Sequence, residues 1–156
     1  MLAIANDVDL LKSLSTTLID SVHGYREAAE HADEGLREMF LLAAAERHLA
    51  VERLQQRIRE LGGEPDNAPS LMGQVHQRWL AIRSAIEGGD ENAILDEVES
   101  GESYLQQKFQ ESVDDESVQG EARRAIEEAY ESVCARFDQV QSIRRARDAA
   151  MARQTP

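Results

Sequence analysis

Apolar side chains recur at intervals of three and four residues over five stretches of this chain. That spacing fits one face of an α-helix and not the alternation of a half-buried strand. The first stretch covers 8–32, with Leu11, Leu14, Leu18, Val22, Tyr25 and Ala29 on one stripe and Asp7 as its expected N-cap. A second covers 33–61, opened by Asp33, carrying Leu36, Phe40, Ala43, Ala50, Leu54 and Ile58, and stopped by Gly62-Gly63 with Pro65 beyond. After a short linker over 64–69, Ser70 is expected to cap a shorter helix with Leu71, Val75, Trp79, Ile82 and Ile86 on one side, ending at Gly88-Gly89. Asp90 restarts the chain into a fourth helix with Ile94, Leu95, Val98, Leu105 and Phe109, which ends before Asp114-Asp115-Glu116. Ser117 is the expected cap of the last helix, whose stripe reads Ala122, Ile126, Ala129, Val133, Phe137, Val140 and Ile143. Arg144, Arg145 and Arg147 near its end complement the negative pole of the helix dipole.

Four long helices, with a short one in the crossover between the second and third of them, predict an all-α four-helix bundle. Residues 1–150 would form the single domain and 151–156 a frayed tail. One Trp, three Tyr and three Phe in 156 residues, with nine Gly and three Pro, disfavour a sandwich of many short strands. Thirty acidic against 17 basic residues give a net charge of −13, which repels phosphate backbones and anionic lipid. Nucleic acid and membranes are therefore not expected as partners. The first residues carry no basic run and no stretch is apolar enough to span a bilayer, so a cytoplasmic protein is expected. The single cysteine, Cys134, has no disulfide partner within the chain and reads as a packed thiol.

Bundles of this kind often hold metals with inward Glu and Glu-x-x-His residues. The four histidines, His23, His31, His48 and His76, follow Asp20, Ala28, Ala45 and Gly73 at that spacing, so the motif is absent. At about 100° per residue, Glu27, Glu30, His23 and His31 fall away from the stripe of their own helix, and His48 with Glu52 forms an i,i+4 surface pair. Two charged residues instead lie on apolar stripes: Arg47, between Ala43 and Ala50, and Glu102, between Val98 and Leu105. A buried charge needs a partner, so the two are expected to form an internal ion pair, with Tyr25 as a neighbouring hydroxyl. Glu27, Glu30, Glu46 and Glu102 are the candidates for a cation, although Arg47 opposes one near the last two. No nucleophile elbow, phosphate loop or dinucleotide fingerprint is present, and no catalytic residue is expected.

Gly24-Tyr25 followed by Glu27-Ala28-Ala29-Glu30, Glu46-Arg47, Leu61-Gly62-Gly63, His76 with Trp79, and Glu99-Ser100-Gly101-Glu102 together resemble a bacterial, ferritin-like four-helix-bundle family catalogued as domain of unknown function 2383. The likeness runs from about Leu10 to Arg145 and implies the bundle fold, which elsewhere hosts ferroxidases, oxygenases and inert scaffolds alike. Members often carry a His-Asp pair in the final helix, where this chain has Phe137-Asp138.

Two functions follow as expectations. The first is a non-enzymatic, stress-associated helical protein, without a cofactor, that works through protein interaction or self-association, as a homodimer or with a helical protein partner. Leu41, Leu42 and Leu49, which lie off the main stripe of the second helix, motivate it. The alternative is an iron- or manganese-binding protein with oxidase or storage-type activity.

Overall fold

The computed structural model describes residues 2–67 and 74–154, with side chains for 6–67 and 80–154. The described residues form five α-helices and no strand: α1 (Leu2–His31), α2 (Glu34–Glu60), α3 (Gln74–Gly88), α4 (Glu91–Asp114) and α5 (Gly120–Gln154).

Helix α1 starts ahead of Asp7, which lies within it and does not cap it. Leu2, Ala3 and Ala5 are strong helix formers, so the helix propagates through a residue that would otherwise stop it. The stripe of α1 is fully inward, with Leu11, Leu14 and Leu18 wholly buried. Asp33 caps α2 by accepting a 3.0 Å bond from the Leu36 amide, and its own amide donates to Glu91 Oε2 at 2.7 Å, tying the starts of α2 and α4 together. A Schellman motif ends α2: the Gly63 amide donates to Ile58 O at 2.9 Å and the Gly62 amide to Arg59 O at 3.0 Å, with Gly62 at φ +86°. Gly63 has a second reason to lack a side chain, because a Cβ there would stand 2.6 Å from Val8 Cγ1.

The expected cap Ser70 and the stripe residue Leu71 lie outside the described residues, as do the side chains of Val75, His76 and Trp79. Farther along α3, Ile82 and Ile86 are buried against α1 and α4. Asp90 caps α4, accepting from the Asn92 amide at 2.9 Å. Ser117 does not cap α5. Its amide and hydroxyl both donate to Asp115 Oδ1, at 2.9 and 2.6 Å, which closes a tight turn and swings Val118 into the core, so α5 begins only at Gly120. These two bonds hold the Asp115 carboxyl below its ordinary range. Arg123 of α5 then donates to Val113 O at 2.7 Å and Val118 O at 3.2 Å, satisfying one carbonyl at the end of α4 and one in the turn that follows.

At its far end α5 continues to Gln154, past Ala150, where fraying is expected from the sequence. Its last turns are anchored: Arg144 pairs with Asp96 and donates to Asn92 O at 2.9 Å, and Asn92 Nδ2 donates to Met151 Sδ at 3.3 Å.

Helix α1 packs along α2, α4 along α5, and α2 also meets α5, while α3 lies against α1 and α4. The arrangement is compatible with a helical bundle of α1, α2, α4 and α5, with α3 in the connection between α2 and α4. No described helix is long and apolar enough to cross a membrane.

Candidate functional site

The buried apolar residues fall into two clusters stacked along the helices. One gathers Leu11, Leu14, Leu18, Leu54, Ile58 and Phe109, and the other Tyr25, Phe40, Ala43, Ile94, Leu95 and Val98. Where they meet, each long helix contributes a polar side chain. Ser21 precedes Val22 on α1, Arg47 lies between Ala44 and Ala50 on α2, Glu102 between Val98 and Leu105 on α4, and Arg136 between Val133 and Val140 on α5. These four form a polar layer across the middle of the core.

At its centre Arg47 Nη2 donates to Glu102 Oε2 at 2.5 Å, with the two side chains only 1% and 3% exposed. Tyr25 donates its hydroxyl to Glu102 Oε1 at 2.8 Å, so both carboxylate oxygens are engaged. The other guanidinium arm, Arg47 Nη1, donates to Ser21 Oγ at 3.0 Å, and the guanidinium carbon lies 5.9 Å from the centroid of the Tyr25 ring, within cation–π range. Tyr25 also packs on Phe40 at 5.9 Å between centroids.

Burial, and then the negative Glu102, raise the Tyr25 phenol well above its ordinary value, so it stays protonated and serves as a donor. Burial pulls the Arg47 guanidinium down, but Glu102 and Tyr25 more than reverse this and its affinity for the proton rises. The centre is thus a charge-assisted network that ties α1, α2 and α4 together.

Arg136 was not singled out by the sequence pattern, which put Phe137 on the inner stripe. The structure turns Arg136 inward and leaves Phe137 half-buried. Arg136 Nη2 pairs with Glu46 Oε1 at 2.6 Å and Nη1 bonds Gln139 Oε1, while Nε has no hydrogen-bond partner among the described residues. Val133, Arg136 and Val140 obey helical spacing as well as Val133, Phe137 and Val140 do, and only the apolar character of Phe137 favoured the latter.

The four carboxylates considered for a cation are not brought together. Glu102 is held by Arg47 and Tyr25, Glu46 by Arg136, and only Glu27 and Glu30 converge. With His31 they form a group whose ligand atoms lie within 4.8 Å of one another at the end of α1; Glu27 is half-buried and the other two are exposed. His48 and Glu52 stand 3.2 Å apart on the exposed face of α2. The interior does not fit a metal of the ferritin kind: of the buried carboxylates among the described residues, Glu102 faces an arginine and Asp20 lies near the Lys108 ammonium, a second arginine stands across the layer, and no histidine among the described residues is buried. Cys134 is half-buried and accepts a bond from Gln106 Nε2 at 3.4 Å.

Beside the polar layer, a cavity of about 50 Å³ opens between α1, α3 and α4, with Ser21, Gly24, Tyr25, Ile82 and Glu102 in its wall. Ile82 closes it over Gly24, where a Cβ would come 3.3 Å from Ile82 Cδ1. A space of that size has room for a few water molecules.

No curated protein matches this chain. The sequence profile of one family, described as Domain of unknown function (DUF2383), matches residues 6–115, which covers α1 to α4 with Tyr25, Arg47 and Glu102 but stops short of Arg145 and leaves out α5 with Arg136. With well over half of the chain matched, the protein belongs to the DUF2383 family.

Proposed function

We propose that this protein is a ferritin-like four-helix bundle, a single domain over 1–150, that acts without catalysis through self-association or docking of a helical partner. The observation that carries this reading is the outer face of α2, where Leu41, Leu42 and Leu49 are 50%, 55% and 52% exposed. Three large leucines on one helix face, with Ala45 among them, make an apolar strip that a solitary bundle would be expected to cover with polar residues. The centre of the polar layer supports the same reading, since Arg47, Glu102, Tyr25 and Ser21 bond one another. Sedimentation velocity over a range of concentrations tests it: association should be present in the wild type and lost in Leu42→Glu/Leu49→Glu. A wild type that stays monomeric and whose leucine variants behave identically in every interaction assay would overturn the reading.

A second reading, iron or manganese binding, draws on the Glu27, Glu30 and His31 group. Two carboxylates and an imidazole suit either ion, but they lie on the surface and not within the bundle. Metal content after desalting, compared with Glu27→Gln/Glu30→Gln, decides it: a stoichiometric ion lost in the variant supports the reading, and trace metal in both removes it.

A further inference from the structure

The exposed face of α2 runs through Glu38, Leu41, Leu42, Ala45, Leu49 and Glu52, bordered by Arg53. Glu46, beside Ala45, is turned away to Arg136, and Glu52 stands 3.2 Å from the His48 imidazole, a charged partner only when protonated. Glu38 and Arg53 are different. They sit at opposite ends of the leucine strip, both are exposed, and neither makes an ion pair or hydrogen bond among the described residues.

This pattern is self-complementary in one orientation only. When two copies of α2 are laid antiparallel about a twofold axis beside Ala45, Leu42 meets Leu49 of the partner subunit. The same register sets Glu38 against Arg53 of the partner subunit, and the twofold repeats both contacts. Laid parallel, the leucines still meet, but Glu38 faces its own copy and so does Arg53, placing like charges together at both ends. Ala45 at the crossing carries the smallest side chain of the strip and lets the two backbones approach.

We infer that the occupant of this face is a second copy of the chain, docked antiparallel through α2, with Leu42 against Leu49 and Glu38 against Arg53 across the twofold. The inference rests on the self-association reading and fixes its geometry. A contact one helix wide falls below the roughly 1,600 Å² of a standard interface, so a concentration-dependent dimer is expected.

Cysteine cross-linking tests the register, in a Cys134→Ser background with a short bifunctional maleimide. At about 1.5 Å per residue, the two copies of position 38 lie about 22 Å apart in this arrangement, as do those of position 53. Glu38→Cys alone and Arg53→Cys alone should therefore stay uncoupled, and their mixture should give a covalent dimer. As an independent check, Glu38→Arg alone and Arg53→Glu alone should each weaken dimerisation by about fivefold or more at low salt, and the double reversal should restore it to within about twofold. Efficient coupling of Glu38→Cys to itself, or a double reversal no better than the singles, overturns the antiparallel register while self-association stands. A wild type that is monomeric at millimolar concentration overturns both. Positions 38 and 53 are exposed, so circular dichroism of each variant should match that of its parent, the wild type or Cys134→Ser.

Discussion

Arg47 and Arg136 stand in the same layer of the same core, yet they are held in opposite ways. Arg47 meets a carboxylate that is itself buried, and its remaining donors reach Ser21 and the face of Tyr25. Arg136 reaches outward to Glu46, which is 49% exposed, and keeps a buried Nε without a partner among the described residues. The contrast shows that depth alone does not decide what a buried charge contributes. A pair desolvated on both sides depends on each member, whereas a pair with one foot in water has a solvated alternative.

The sharpest way to break this contrast is Arg47→Met, which would strand Glu102 in the core and should cost about 3 to 5 kcal/mol in urea denaturation. A loss below about 1 kcal/mol would show that Glu102 finds water when Arg47 is gone. Next comes Tyr25→Phe, which removes a donor to a charged acceptor and should cost about 1.5 to 3 kcal/mol. This variant also carries a pH signature. The folded state holds the Tyr25 phenol well above 10.0, so its contribution is complete below that value. As pH rises past it, the unfolded chain releases the proton and the folded chain does not, and stability falls. The difference in urea midpoint between wild type and Tyr25→Phe should therefore shrink from about pH 9 to about pH 11, and a constant difference would mean that the phenol ionises alike in both states.

Arg136→Met should cost about 1 kcal/mol or less, because Glu46 is already half in water and the methionine removes an unsatisfied Nε. A loss matching that of Arg47→Met would erase the distinction between the two arginines. The smallest effect is expected of Arg47→Met/Glu102→Leu made in the Tyr25→Phe background, which should return to within about 1 kcal/mol of that background because both desolvated charges leave together and no buried phenol is stranded. The interaction energy from this double-mutant cycle measures the pair directly.

Much of this was legible in the sequence because burial on a helix follows a period that can be counted. Arg47 and Glu102 interrupt apolar stripes at helical spacing, and a charge in such a position must be met from another helix. Asp33 and Asp90 are short acceptors placed just before periodic runs, and both cap as such residues do. What stayed hidden turned on competition between local options. Ser117 has the chemistry of a cap, but Asp115 engages it first. Asp7 has the same chemistry, but the helix formers before it carry the helix through. Arg136 and Phe137 are adjacent and equally well spaced, and it is Glu46 on another helix that favours the arginine's inward position. Such a preference arises from tertiary contact, which no single stretch of sequence displays.

The bonds of Glu102 also bear on how the chain reaches its final form. They join residues 55 and 77 positions apart, so they close only after helices formed locally have docked. Leucine-rich stripes would tolerate α4 docking one turn out of place, since apolar side chains are interchangeable at that resolution. Glu102 would not: a slip of about 5.4 Å carries it beyond reach of both Arg47 and Tyr25 and leaves two buried charges facing hydrocarbon. The polar layer therefore acts as a proofreading device in assembly, making misaligned collapsed chains short-lived and reserving a long lifetime for the one alignment in which Glu102 meets both Arg47 and Tyr25.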